Sequence, residues 1–232
     1  MKTLEGKVAL ITGAKGGLGS FVTEAFLAAG AKVVGVSRSI QASDFANSEF
    51  TAMPAELSSG DVARKVAKDV IAKFGRIDTL VHVMGGFAGG KSVADTDDAT
   101  FEKMVNMNYR AAFYIARAVL PQMREQGSGS ILAVASRQGV EPAAMVGAYS
   151  ASKAALVSLI KTIALENKDR GISANSVLPG TMDTPINRGF DPKADTSQWV
   201  RPSQVAALLV HLASDASADV TGAAIPIYGK QV

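Results

Sequence analysis

Short runs of Val, Ile and Leu alternate with longer amphipathic runs along the whole chain, and this alternation most constrains the fold. Val8-Ala9-Leu10-Ile11 is apolar at every position and closes on Thr12-Gly13, the pattern of a strand buried on both faces. Leu18 to Ala29 then reads as a helix stopped by Gly30. Strands are predicted at Lys32 to Val36, Ile77 to Val83, Ser130 to Ala135, Ile172 to Leu178 and Ala223 to Tyr228. Helices are predicted at Asp61 to Phe74, Thr100 to Gln126, Tyr149 to Asp169 and Pro202 to Ala213. Asp61 to Phe74 shows the spacing plainly, with Val62, Val66, Val70, Ile71 and Phe74 on one stripe and Gly75 behind it. Strand–helix alternation demands parallel strands with right-handed crossovers, hence an α/β, doubly wound parallel sheet with helices on both faces. No linker or repeat divides the chain, so residues 1–232 are expected to form one unit. A long irregular stretch, about 181–201, is expected to serve as a lid.

Composition removes several function classes. Of 232 residues, 47% are hydrophobic, enough for a substantial core. Cysteine is absent, which excludes disulfides, thiolate nucleophiles and sulfur-ligated zinc. The two histidines, His82 and His211, rule out a His-rich metal site. A net charge of +3 gives no basic stripe for nucleic acid. No signal-peptide core follows the first lysine, and no run approaches a membrane span. A soluble cytoplasmic protein acting on a small molecule is the expectation, with neither nucleic-acid nor membrane partners.

Thr12-Gly13-Ala14-Lys15-Gly16-Gly17-Leu18-Gly19 joins the first strand to the first helix. Glycines at such a turn let the backbone approach a pyrophosphate, and the helix start offers free N–H groups and a partial positive charge. The spacing G-x-x-x-G-x-G, at Gly13, Gly17 and Gly19, resembles the signature of the short-chain dehydrogenase/reductase family.

The end of the second strand selects the nicotinamide cofactor. A carboxylate there would bind the ribose 2′-OH and repel a 2′-phosphate. This chain reads Val36-Ser37-Arg38-Ser39. Arg38 can hold a phosphate through two donors, Ser37 and Ser39 add hydroxyls, and Lys15 is a second candidate cation. NADP(H) is therefore favoured, with NAD(H) as the alternative. The resemblance points the same way, since NADP-preferring relatives often carry Arg directly after the second strand. They often also carry a basic residue just before the second glycine, where this chain has Gly16.

Tyr149-Ser-Ala-Ser-Lys153 places a phenol and an ammonium one helical turn apart on one face. A nearby Lys⁺ is expected to lower the phenol pKa from about 10 toward neutrality. Ser136 lies just past a predicted strand, at the end where parallel sheets deliver their active groups. Asn108 sits inside a predicted helix, where its side chain needs a local hydrogen bond. Gly turn, Asn108, Ser136, Tyr149 and Lys153 occur in the order and spacing of the short-chain dehydrogenase/reductase family, followed by Pro179-Gly180-Thr181 and Thr184. The likeness extends from Leu4 to Gly229. It implies a Rossmann-like fold and a tetrad. Tyr149 would be the general acid/base, Lys153 the ribose anchor and pKa modulator, Ser136 the substrate orienter, and Asn108 the holder of a relay water. It also implies cofactor contacts at Gly13, Lys15, Gly16, Gly17, Leu18, Gly19, Ser37, Arg38, Gly85, Tyr149, Lys153, Pro179, Gly180, Thr181 and Thr184, with Thr184 on the carboxamide. Relatives commonly assemble as dimers or tetramers, so a homo-oligomer is expected.

The chain departs from the family at His82-Val83-Met84-Gly85, where Asn-Asn-Ala-Gly is usual. Gly85 keeps the backbone approach, and His82 is a candidate to replace an asparagine contact. Met84 to Gly90 and Leu178 to Arg188 are similar to segments of dihydropteridine reductases, a second reading. Ser136 and the absence of an acidic residue after the second strand oppose it. A non-catalytic NADP(H)-binding sensor is the reading from another class. A serine hydrolase ranks third, for want of Gly-x-Ser-x-Gly. The substrate loops offer Phe87, Met145, Val146, Ile186, Phe190 and Trp199, with Arg137 and Arg188 as candidates for a polar group.

Overall fold

The structure, a computed structural model, describes residues 2–190 and 192–231. Met1, Asp191 and Val232 lie outside the described residues, at the two ends of the expected 1–232 unit and inside the expected lid. Seven strands form one parallel sheet: β1 (Val8–Thr12), β2 (Lys32–Ser37), β3 (Phe50–Pro54), β4 (Thr79–His82), β5 (Gly129–Val134), β6 (Ile172–Pro179) and β7 (Ala224–Ile227). Their order is β3-β2-β1-β4-β5-β6-β7. The connecting helices are α1 (Gly19–Ala28), α2 (Gly60–Phe74), α3 (Asp98–Val105), α4 (Ala111–Gln126), α5 (Gly147–Asn167), α6 (Pro185–Phe190) and α7 (Pro202–Leu212).

The unbroken apolar runs are explained by two cores, one on each face. Val8 and Leu10 of β1 join Val66, Ile115 and Ile160 of α2, α4 and α5. Ala9 and Ile11, pointing the other way, join Phe26 of α1 and Leu209 of α7. Capping residues set the helix limits. Ser59 and Asp97 accept from the backbone N–H of Val62 and Thr100, and Gly75 and Gly127 end α2 and α4 at φ 75° and 65°.

Three expectations change. The sequence reading lacks β3, which holds a sheet edge; of its five residues only Phe50 is buried and Pro54 closes it, so the apolar signal is weak. The single helix over 100–126 is two helices separated by a π-helical turn, Asn106–Arg110. The stretch 181–201 is not irregular throughout: it carries α6, a 3₁₀ turn at Thr196–Gln198, and a bridge from Met182 to Val200.

The strand order reverses between β1, which runs on to β2, and β4. Connections on the two sides of that point go to opposite faces, and a crevice opens at the C-terminal ends of β1 and β4.

Candidate active site

A cavity of about 1130 Å³ occupies this crevice. Its wall includes Gly13, Gly16, Gly17, Leu18, Gly19, Ser37, Arg38, Gly85, Ser136, Tyr149, Lys153, Pro179, Gly180, Thr181 and Thr184. The strand ends and the loops after them thus bring together residues spread over most of the chain.

The glycine turn is built for close approach. At φ 72°, a Cβ on Gly13 would stand 2.8 Å from the Met84 backbone, so β1 and the loop after β4 touch only because a side chain is missing. A Cβ on Gly19 would overlap the Gly13 carbonyl oxygen. Leu18, preceding α1, makes no side-chain cap hydrogen bond, so no side chain closes the start of α1 to an anion, although Ser20 N already donates to Gly16 O at 3.0 Å. A pyrophosphate fits this cradle. Thr184 faces it from the stretch after β6, its methyl 3.7 Å from the position of a Gly17 Cβ.

The π-helical turn turns Asn108 inward, fully buried. Its Oδ1 accepts from Gly86 N at 2.8 Å, and its Nδ2 donates to Gly86 O and Ser152 Oγ, each at 3.0 Å. The side chain therefore fastens the loop after β4 to α5. Lys153 lies beside it. Its ammonium donates to Val134 O at 2.9 Å, and burial lowers its pKa to about 8. A Cβ on Gly85 would come within 2.8 Å of Asn108 Oδ1 and 3.1 Å of Lys153 Nζ.

Tyr149 does not behave as the sequence suggested. Burial raises its pKa, partly offset by a hydrogen bond with Ser136. The phenol is thus protonated at neutral pH in the protein alone. Ser136 Oγ also donates to Gln138 Oε1 at 2.6 Å. The Tyr149 ring packs edge-on against Phe87, with centroids 5.0 Å apart.

Lys15 is absent from the cavity wall. Its ammonium lies 2.8 Å from Asp44 and reaches Ser39 O at 3.3 Å, so it is tied to the loop after β2. Arg38 does face the cavity, 78% exposed and 3.8 Å from Glu56. Sequence reasoning missed Glu56 because it follows β3, and missed Gln138, whose signal was its place two residues after Ser136. Among lid candidates, Phe87, Val146, Ile186, Phe190 and Trp199 line the cavity. Arg188 is held by Asp183 at 2.6 and 2.9 Å, and Arg137 by Glu141 at 2.6 Å.

This combination of glycine cradle and Ser–Tyr–Lys cluster agrees with the family comparison: residues 7–195 match the model described as short chain dehydrogenase. The chain belongs to the short-chain dehydrogenase family. It is 32% identical to the 3-oxoacyl-[acyl-carrier-protein] reductase FabG of Thermotoga maritima, covering 99% of both chains. It is 30% identical to the 2-dehydro-3-deoxy-D-gluconate 5-dehydrogenase of Pseudoalteromonas atlantica, over 98% of this chain and 96% of the relative. A crystal structure of 3-ketoacyl-(acyl-carrier-protein) reductase from Brucella melitensis complexed with NADH superposes with a TM-score of 0.90 at 28% identity, covering 99% of this chain and 100% of that one. This short-chain dehydrogenase is an NAD(P)-binding oxidoreductase acting on CH–OH/C=O groups. Among the described residues no helix is long and apolar enough to cross a membrane.

Proposed function

We propose that the protein reduces a carbonyl compound, or oxidises the corresponding alcohol, with NADP(H) in preference to NAD(H), and that Tyr149 moves the proton. The observation that carries this reading is the meeting of Ser136, Tyr149 and Lys153 on one cavity wall with the glycine cradle of α1. The cradle and the α1 N-terminus would hold the pyrophosphate, Arg38 and Ser37 a 2′-phosphate, Lys153 the nicotinamide ribose, and Thr184 the carboxamide. When bound, the reduced nicotinamide supplies a hydride to the carbonyl carbon.

Protein groups handle the proton and the oxygen. The raised pKa of Tyr149 keeps its O–H in place at neutral pH, ready to donate to the carbonyl oxygen. Ser136 positions the phenol, and on turning its O–H from Gln138 to the carbonyl oxygen it would complete the polar pocket around that oxygen. Lys153, charged below pH about 8, stabilises the phenolate formed after donation. Asn108, its amide engaged by Gly86 and Ser152, fixes the loop after β4 to α5 beside Lys153, and a relay water there would have to be held by the main chain of the π-helical turn. The placement of Ser136 favours this reading over the pterin reductase. Exposed Phe113 on α4 and Leu165 on α5 support assembly of copies through those helices.

Tyr149→Phe tests the mechanism. Turnover should fall about 10²–10⁴-fold, the usual worth of a positioned acid/base, while NADPH binding persists. Unchanged turnover removes Tyr149 from the mechanism. NADPH binding with no turnover of any carbonyl by the native protein would favour the sensor.

A further inference from the structure

We infer that the substrate is a neutral ketone or aldehyde carrying an apolar ring, and that this ring passes Phe87 into a side cavity of about 270 Å³. The inference deepens the carbonyl reductase reading and rests on it.

Phe87, Val146 and Phe190 line both the main cavity and the side cavity, so the two are neighbours that share these side chains as a wall, and a ring that displaces the half-exposed Phe87 would join them. Phe87 stands at the junction. Its ring is edge-on to Tyr149 at 5.0 Å and 73°, and to Phe190 at 6.0 Å and 68°. Despite these contacts Phe87 is 50% exposed and Phe190 69% exposed. Large aromatic faces are thus presented to whatever lies next to the phenol. Aromatic rings meet such faces in edge-to-face or offset geometry.

The opening is maintained by backbone features. A Cβ on Gly89 would fall 2.8 Å from Val146 Cγ1 and 2.9 Å from Phe87 Cζ, so any side chain there would displace both. Met145, also on the side cavity, has φ 64°, a positive value unusual for a branched-free but bulky residue, and Gly90 N donates to its carbonyl at 2.9 Å. An apolar cavity of about 150 Å³ accepts benzene. The side cavity here, about 270 Å³ and walled by Thr96, Thr100 and Lys91 as well as by Phe87, Met145, Val146 and Phe190, has room for a six-membered ring.

Charge argues for a neutral occupant. Lys91, on the side cavity, is 2.9 Å from Asp97. Arg188 and Arg137 are engaged by Asp183 and Glu141. Lys103 lines the main cavity but not the side cavity. The cation that lines the side cavity, Lys91, is already shared with Asp97, whose carboxylate opposes a second anion there, and a neutral ring meets no such repulsion.

Three ketones sharing one reacting ring separate the alternatives: cyclohexanone, 4-phenylcyclohexanone and 4-oxocyclohexanecarboxylate. In each, the carbonyl gains a hydride from NADPH and a proton from the protein, giving the alcohol and NADP⁺. The phenyl compound should show kcat/KM at least tenfold above cyclohexanone, with the carboxylate no better than cyclohexanone. Ala148→Leu, which fills the side cavity, should bring the phenyl-to-cyclohexanone ratio close to one. Binding is read separately by quenching of Trp199, the single tryptophan, which lines the main cavity. With NADP⁺ present, 4-phenylcyclohexanol should bind at least tenfold tighter than the 4-carboxy alcohol. Tight phenyl binding without turnover would refute the reductase reading while leaving the side cavity as a subsite for a neutral ring. Equal or reversed preference, or a phenyl advantage untouched by Ala148→Leu, would overturn this one.

Discussion

Thr12 Oγ1 and His82 Nδ1 lie 2.9 Å apart, both buried, joining the C-terminal ends of β1 and β4 at the floor of the crevice. His82 thus takes a strand-joining role, while its Nε2 has no hydrogen-bond partner among the described residues. Burial, reinforced by the charge of Lys153, lowers its pKa from 6.5 to about 3. Above pH 6.5 the imidazole is neutral in both folded and unfolded chains. Below it, the unfolded chain takes up a proton that the folded one resists, so stability declines as pH falls toward 3, by about 1.4 kcal/mol per pH unit. His82→Asn keeps a partner for Thr12 and removes the titration. Between pH 7 and 5 its melting temperature should fall less than the native protein's, by roughly 4–8 °C. Parallel melting curves against pH would contradict the assignment.

The side chain of Gln231 pairs with the main chain of Thr181 in both directions. Its Oε1 accepts from Thr181 N and its Nε2 donates to Thr181 O, both at 2.9 Å, with a further donation to Gln198 O at 3.3 Å. Arg137, the residue after Ser136, donates to Gln231 O and stacks 4.7 Å over Tyr228. Thr181 and Gln198, near the two ends of the stretch expected to act as a lid, are therefore tied to the loop carrying Ser136. Loss of these bonds, at about 1 kcal/mol each, should loosen the lid without unfolding the sheet. Gln231→Ala is expected to speed tryptic cleavage after Arg188 or Lys193 about tenfold and to raise substrate KM more than it lowers kcat. An unchanged cleavage rate would mean the lid is held elsewhere.

The fold was largely legible because strands buried on both faces leave an unbroken apolar signal, as in Val8 to Ile11. β3 escaped because an edge strand is buried on one side at most, and Phe50 alone carries the pattern. Asn108 was placed in a helix correctly in kind but without its π-helical turn, since an inserted residue changes hydrogen bonding and not composition. The direction of the Tyr149 shift could not be read from i, i+4 spacing. The Lys153 ammonium is engaged by Val134 O, and enclosure dominates the phenol. Lys15 looked free in sequence, but its partner Asp44 comes from a turn beyond β2.

Arg38 and Glu56 face each other with charged ends 3.8 Å apart on the cavity wall, and the proposed preference for NADP(H) depends on this pair. The pair is loose and exposed, so Arg38 can leave Glu56 for a 2′-phosphate at little cost. Glu56 opposes that phosphate electrostatically. Two substitutions separate the effects. Arg38→Ser removes charge-assisted hydrogen bonds worth about 1.5–3 kcal/mol, so KM for NADPH should rise roughly 10–100-fold while KM for NADH changes little. Glu56→Gln frees Arg38 and removes the repulsion, so KM for NADPH should fall several-fold, most clearly at low ionic strength. Initial-rate measurements with both nucleotides at two salt concentrations decide the matter. If Arg38→Ser weakens NADH as much as NADPH, Arg38 supports the adenosine without reading its phosphate, and the preference for NADP(H) is lost.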